Sequence, residues 1–418
     1  MKPQFWILPL VVGSIPSCTP VAHPTPFKID VDQGLLDEAR TKAKLYRPSV
    51  DLLDGTSETW YEGPPASNMT ALAKYWAEEY DWLKIQDQLN SNHSHYKATV
   101  SAGFGYQEPV PLHFVHEKST RPNAIPLLLL HGWPSTHMEW LPALDYLTSP
   151  DPDDAEAVAF DVIVPDLPGF GFSPAATHEG FGPRQAGAAL TNLMQLLGYE
   201  TFGIISTDAG WWVALWMAAD YPDRVVGHFT DFYFAQPNAT DIERFGNGQT
   251  SDAENDYIST VLAFQNVVGA YMSIQSQGPL KLGQALTDSP VGYAGWIWHH
   301  LQFSSDGYHY SFEEVITRTM MLWLPGAYGN LRTYLEWLKP ENIDFPKSDV
   351  ATGVSQWQSI NGPFPELALM LNTPAEWIER VSNLTFLVTR PFGGHFPVEL
   401  HPEIYAQDVQ EFFGSLID

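Results

Sequence analysis

The sequence predicts an α/β protein with a mainly parallel central sheet and helices on both faces. Short apolar runs, "IPLLLLHGW", "FDVIVPDLPG" and "TFGIISTDAG", each end in Gly, Pro, His or Asp and are separated by longer helical stretches. Runs of this kind suit strands buried on both faces, and their alternation with helices is the pattern of parallel sheets. The rhythm breaks over 240–340, where long helical, aromatic stretches intervene, and resumes over 350–418 with "LTFLVTRPFGGHF" and "AQDVQEFFGSLI". The simplest organisation is a helical cap (239–344) inserted between two halves of one core (116–238 and 345–418).

Composition narrows the function classes. The 418 residues are 44% hydrophobic and 13% aromatic, ample material for a packed core, and the net charge of −28 repels phosphate backbones and anionic lipid. Nucleic acid is therefore not an expected partner, and oligomeric state is not read from the sequence. Cys18 is the single cysteine, which excludes a disulfide framework and any zinc cluster built on thiolates.

Taken in order, residues 1–22 have the layout of a cleaved signal peptide: Lys2, the apolar "FWILPLVVGSI", then small residues around Ser17, Cys18 and Ala22. Pro9 interrupts a run already short of the ~20 apolar residues that span a bilayer. A secreted protein without a stable membrane span is expected, with membrane association through the apolar segment as the alternative. Sequons at Asn68, Asn92, Asn238 and Asn383 fit export of a glycoprotein. Residues 23–115 form a lead-in region. Within it "ALAKYWAEEYDWLKIQDQL" spaces Leu72, Tyr75, Trp76, Tyr80, Leu83 and Ile85 at near-helical intervals, as a helical layer against a larger core would.

The chemistry concentrates where strands end. "FGIIS" followed by "TDAG" and a helix from about Trp211 is the strand–turn–helix setting of a nucleophile elbow, where small neighbours let a strained turn expose one side chain. The exposed residue is Asp208; an aspartate there also serves simply as a helix cap. "RPFGGHFPVEL" places His395 in a Gly-rich turn after the last apolar strand, the position of the base in the nucleophile–acid–histidine order of α/β-hydrolases. Between them, Glu366 in "GPFPELAL" follows the strand "DVATGVSQW" and is the preferred acid partner, with Asp349 as competitor. The loop "HGWPST" at 131–136 follows another strand, so the backbone N–H groups of Trp133 and Ala209 are the candidate oxyanion donors.

With these residues in hand, the sequence resembles the α/β-hydrolase-fold epoxide hydrolases of the microsomal type, with their N-terminal region. The resemblance rests on "YWAEEYDW" at 75–82, "HGWP" at 131–134, "PDLPGFGFS" at 165–173, the aspartate elbow, "YPDRV" at 221–225, "DSPVG" at 288–292, "FPE" at 364–366 and "GGHF" at 393–396. It covers about 27–415 in order and departs from the family at Trp211, where a small residue is usual. It implies two cap tyrosines, Tyr271 and Tyr334, as proton donors to an epoxide oxygen. The expected reaction opens a small apolar epoxide to a vicinal diol through an ester on Asp208, which water activated by His395 hydrolyses; no metal and no organic cofactor is expected. Three readings stand beside it: a haloalkane or haloacid dehalogenase-like hydrolase, an epoxide-opening cyclase, and a non-catalytic ligand-binding protein on the same fold.

Overall fold

A computed structural model describes residues 22–52, 60–150 and 157–417; the expected leader lies outside the described residues except for Ala22. Among the described residues nine strands form one sheet in the order β1-β2-β3-β5-β4-β6-β7-β8-β9. They are β1 (Ala22–Pro26), β2 (His95–Val100), β3 (Val110–Glu117), β4 (Ile125–Leu130), β5 (Phe160–Pro165), β6 (Phe202–Ser206), β7 (Val225–Thr230), β8 (Ala351–Trp357) and β9 (Asn383–Arg390). From β5 onward every pairing is parallel, whereas β1, β2 and β3 join antiparallel at one edge. The apolar runs are the centre of the sheet: Leu127 to Leu130 and all of β6 are buried.

The lead-in region contributes strands as well as helices. Its long apolar pattern breaks into two helices, Ala66–Glu78 and Trp82–Asn92. The break falls where Asp81 leaves the helical conformation and its side chain accepts the Leu83 N–H, capping a new helix. The helices pack their apolar faces (Met69, Leu72, Trp76; Trp82, Ile85, Leu89) inward. β2 then delivers His95 to a buried polar node shared with the core. There Asp166 accepts from His113 Nδ1 (2.7 Å), His137 Nδ1 (2.8 Å), His137 N (3.0 Å) and Phe172 N (2.9 Å), while His95 Nδ1 meets His113 Nε2 at 3.0 Å. His113, His137 and Asp166 bring ligand-type atoms within 4.8 Å of one another. With the carboxylate's lone pairs already taken by four donors, the cluster is a hydrogen-bonded strut rather than a vacant ligand set.

Between β7 and β8 the chain makes eight helices, from Ala239–Gly246 to Pro340–Ile343, that roof the C-terminal end of the parallel strands. Ser251, Ser311 and Asn238 begin three of them with reciprocal capping boxes. Among the described residues no helix is long and apolar enough to cross a membrane.

Candidate active site

Asp208 is the first residue of the helix Asp208–Asp220, immediately beyond β6, and holds φ at +43°. A left-handed non-glycine residue costs on the order of 1–3 kcal/mol and persists only where the surroundings enforce it. Two glycines do so by close approach. A Cβ on Gly210 would lie 2.4 Å from the Leu130 carbonyl oxygen, and one on Gly132 would lie 2.2 Å from Asp208 Oδ1. The turn thus seats against the end of β4 and presses the carboxylate against the "HGWP" loop. Trp211 fits because an aromatic nest receives it, with ring centroids 4.9 Å from Tyr233, 5.7 Å from Phe345 and 5.8 Å from Phe232.

The carboxylate has two inequivalent oxygens. Oδ1 accepts the Trp133 backbone N–H at 2.8 Å, while Oδ2 lies 3.6 Å from His395 Nε2. Burial pushes the Asp208 pKa up, opposed by His395 and by the backbone N–H groups of Trp133 and Ala209. Burial lowers His395, with Asp208 acting the other way. A base kept neutral next to an anion stabilised by two amides is the resting state that nucleophilic attack followed by water activation requires.

Both tyrosines come to the same cavity of about 560 Å³, lined also by Asp208, Trp133, His395 and His300. Tyr271 stacks on Trp133 (centroids 5.4 Å, 18° between planes), and Tyr334 meets the same indole edge-on at 5.9 Å, with 5.8 Å between the two phenol rings. Burial raises both phenols, as does the Asp208 charge, so each stays a proton donor at neutral pH. Asn330, unremarked in the sequence, positions this wall: its Oδ1 accepts from Trp133 Nε1 and Tyr293 Oη, and its Nδ2 donates to Leu322 O.

The structure does not bring the expected acid partner to the histidine. Glu366 sits in a short 3-10 turn and is exposed, and no hydrogen bond joins it to His395; Asp349 is exposed just before β8, at the opposite end of that strand from the site. His395 Nδ1 is buried without a hydrogen-bond partner among the described residues. The loop after β8 runs several residues from Trp357 to Pro365, and the carboxylate at its end turns to solvent instead of back to the ring. What does hold the histidine is the cap: His395 N donates to Ser304 O (2.7 Å), and Asp306, just past that cap helix, accepts Gly393 N (2.9 Å) and Asn361 N (2.8 Å).

Sequence reasoning also passed over Asp231, the residue directly after β7. It is buried, both its carboxylate oxygens lack a hydrogen-bond partner among the described residues, and burial pushes its pKa up to about 7. Its signal was available: an aspartate ending an apolar strand, as Asp166 and Asp208 nearly do.

Fold and site together define an α/β-hydrolase with a carboxylate, Asp208, at the strand–turn–helix elbow. The chain matches the family model "Epoxide hydrolase N terminus" over residues 24–140 and the "alpha/beta hydrolase fold" model over 125–230. A Stigmatella aurantiaca protein provisionally named an epoxide hydrolase is 31% identical over 94% of this chain and 85% of its own length. Epoxide hydrolase 1 of Sus scrofa is 27% identical over 97% and 91%. The crystal structure of juvenile hormone epoxide hydrolase from Bombyx mori superposes with a TM-score of 0.83 at 25% identity, covering 94% of this chain and 95% of that one. The chain belongs to the α/β-hydrolase-fold epoxide hydrolases of the microsomal type.

Proposed function

We propose that the protein opens apolar epoxides to vicinal diols through a covalent ester on Asp208. The carrying observation is the asymmetry of that carboxylate: Oδ1 is bound by the Trp133 N–H at 2.8 Å, which leaves Oδ2 on the His395 side free to attack. Oδ2 forms a bond to one ring carbon as the ring C–O bond breaks. Tyr271 and Tyr334 hydrogen-bond the departing oxygen, and one phenol supplies its proton. His395 Nε2 then takes a proton from water as the water oxygen bonds to the ester carbon. The tetrahedral oxyanion forms at Oδ1, already bound by the Trp133 amide, with the Ala209 amide close enough to favour the negative charge. Collapse breaks the bond from that carbon to the alkyl oxygen, and the diol leaves with the proton from His395; the second proton of the water, left on the regenerated Asp208 carboxyl group, returns to the phenolate and restores both groups to their starting state. A carboxylate is needed because serine would yield an inert ether.

Substrate class follows from the walls. Phe232, Phe234, Phe264, Trp212, Met272 and Phe303 line the cavity around Asp208. Trp212, Phe234, Phe264 and Met272 also border a second cavity of about 1490 Å³. An elongated apolar epoxide would fit, its ring at Asp208 and its tail past this aromatic partition. Export belongs to the same reading on sequence grounds, with 1–22 as leader; the Asn92 sequon is exposed at a helix end.

His395→Gln incubated with styrene oxide tests the reaction. The expected result is a stable mass increase, equal to one substrate, on the peptide carrying Asp208; wild type consuming the epoxide while the variant never accumulates adduct would refute the two-step route.

A further inference from the structure

We propose that Asp231, and not a residue of the loop after β8, is the acid that orients His395. This rests on the epoxide hydrolase reading and names a positioning residue for it. The starting point is a pair of buried, unsatisfied groups at one end of the sheet. Nε2 of His395 faces Asp208, so catalysis requires the lone pair on Nε2 and the hydrogen on Nδ1. Nδ1 is buried without a partner among the described residues, and so are both carboxylate oxygens of Asp231. A buried N–H and a buried carboxylate are each destabilised when left unpaired, so their pairing is favoured.

Topology brings the two together. β7 lies beside β6, and Asp231 follows β7 as Asp208 nearly follows β6, so both residues stand at the C-terminal end of neighbouring strands. The next residue, Phe232, packs edge-on against the His395 ring with centroids 5.4 Å apart. Asp231 is also near enough for Asp208 to raise its pKa. The groups that face Asp231 are Thr207 at the elbow, Asp208, Glu139 in the 3-10 segment His137–Ala143, and Tyr405 on the helix Pro402–Gly414. The Thr207 and Tyr405 hydroxyls favour its ionised form without completing hydrogen bonds to it. The cation of this cluster, Arg318, stands beside Glu139 and is engaged by Glu399, and it is not among the charges that shift Asp231, so the His395 imidazolium of the hydrolysis step is the natural counter-charge. The pairing requires rotation of the Asp231 side chain, or one bridging water, to join the carboxylate to Nδ1–H.

The role predicts a division of labour between the two half-reactions. Attack by Asp208 does not use the imidazolium; hydrolysis of the ester does. Asp231→Asn, which keeps the shape and removes the charge, is expected to form the Asp208 adduct at a near wild-type rate and to hydrolyse it roughly 10³–10⁴-fold more slowly, by analogy with aspartate-to-asparagine exchange in a serine-protease triad. In wild type, ester hydrolysis is expected to rise with pH through about 7 as Asp231 ionises; in Asp231→Asn that rise disappears. Glu366→Gln, an exposed change, leaves rate and pH profile intact. An independent readout needs no turnover: a far-downfield His395 Nδ1–H proton resonance in the free enzyme, lost in Asp231→Asn and in His395→Gln and retained in Glu366→Gln. Should Glu366→Gln instead erase that resonance and stall hydrolysis, or Asp231→Asn hydrolyse the adduct at the wild-type rate, the assignment is overturned. Failure of wild type to consume any epoxide, with the resonance pattern as expected, would overturn the reaction and leave the pairing standing.

Discussion

Gly132→Ala tests how the nucleophile is held. A methyl group there would sit 2.2 Å from Asp208 Oδ1, 2.3 Å from its Cβ and 2.6 Å from its Cγ. All three contacts are more than about 1 Å inside van der Waals separation, so the carboxylate must swing away or the loop carrying Trp133 must retreat. Either movement breaks the 2.8 Å bond from the Trp133 N–H, the contact that selects Oδ2 for attack. A displacement of about 1 Å at a reacting atom costs around 10²-fold in rate, and losing an oxyanion donor costs about 10²–10³-fold in the hydrolysis step. Both half-reactions are thus expected to slow by about two orders of magnitude. Pre-steady-state quenched flow read by peptide mass spectrometry separates adduct formation from its decay, with circular dichroism as the folding check. A folded Gly132→Ala enzyme that forms and clears the adduct at wild-type rates would refute the idea that this glycine exists to admit the carboxylate.

Two further outcomes follow from the same geometry. Tyr271→Phe and Tyr334→Phe are each expected to slow adduct formation by about 10²-fold while leaving hydrolysis of an adduct already formed unchanged, and the double variant to be slower than either; an unaffected adduct burst would remove the tyrosines from the first step. Stability is expected to fall on mild acidification. His131 donates from Nδ1 to Gly132 O and accepts the Leu167 N–H at Nε2, so it is built in neutral, and burial lowers its pKa to about 4. The unfolded chain takes up this proton below about 6.5, so the contribution is complete above that pH and is lost as pH falls towards 4, by about 3 kcal/mol at most. Thermal melts across that window check it, and a flat profile would contradict it.

The sequence showed the parts of the molecule whose physics is local. Leu127–Leu130 and Phe202–Ser206 read as buried parallel strands because nothing polar interrupts them, and Asp208 stood out as the charged residue between such a run and a helix. The strand His95–Val100 was hidden by its own histidine and lysine, which are satisfied by partners distant in sequence: His95 by His113, and Lys97 by the Phe27 ring. Glu366 was misplaced for a related reason. Its distance along the chain from β8 was visible, but the direction in which an irregular loop points its side chains depends on the whole course of that loop. Asp231 escaped notice because a lone aspartate after a strand is common; its meaning comes from being buried beside Tyr405, next in the chain to a phenylalanine that packs on His395.

The fastening between roof and base has a further consequence for traffic. Ser304, which ends one cap helix, and Asp306 just past it hold the backbone N–H groups of His395 and Gly393. Hoisting that corner to admit a guest would drag the imidazole off its target and disarm the enzyme with every visit. A route past the flank where Trp212 and Met272 border both cavities would leave those bonds, and the aim of the imidazole, undisturbed.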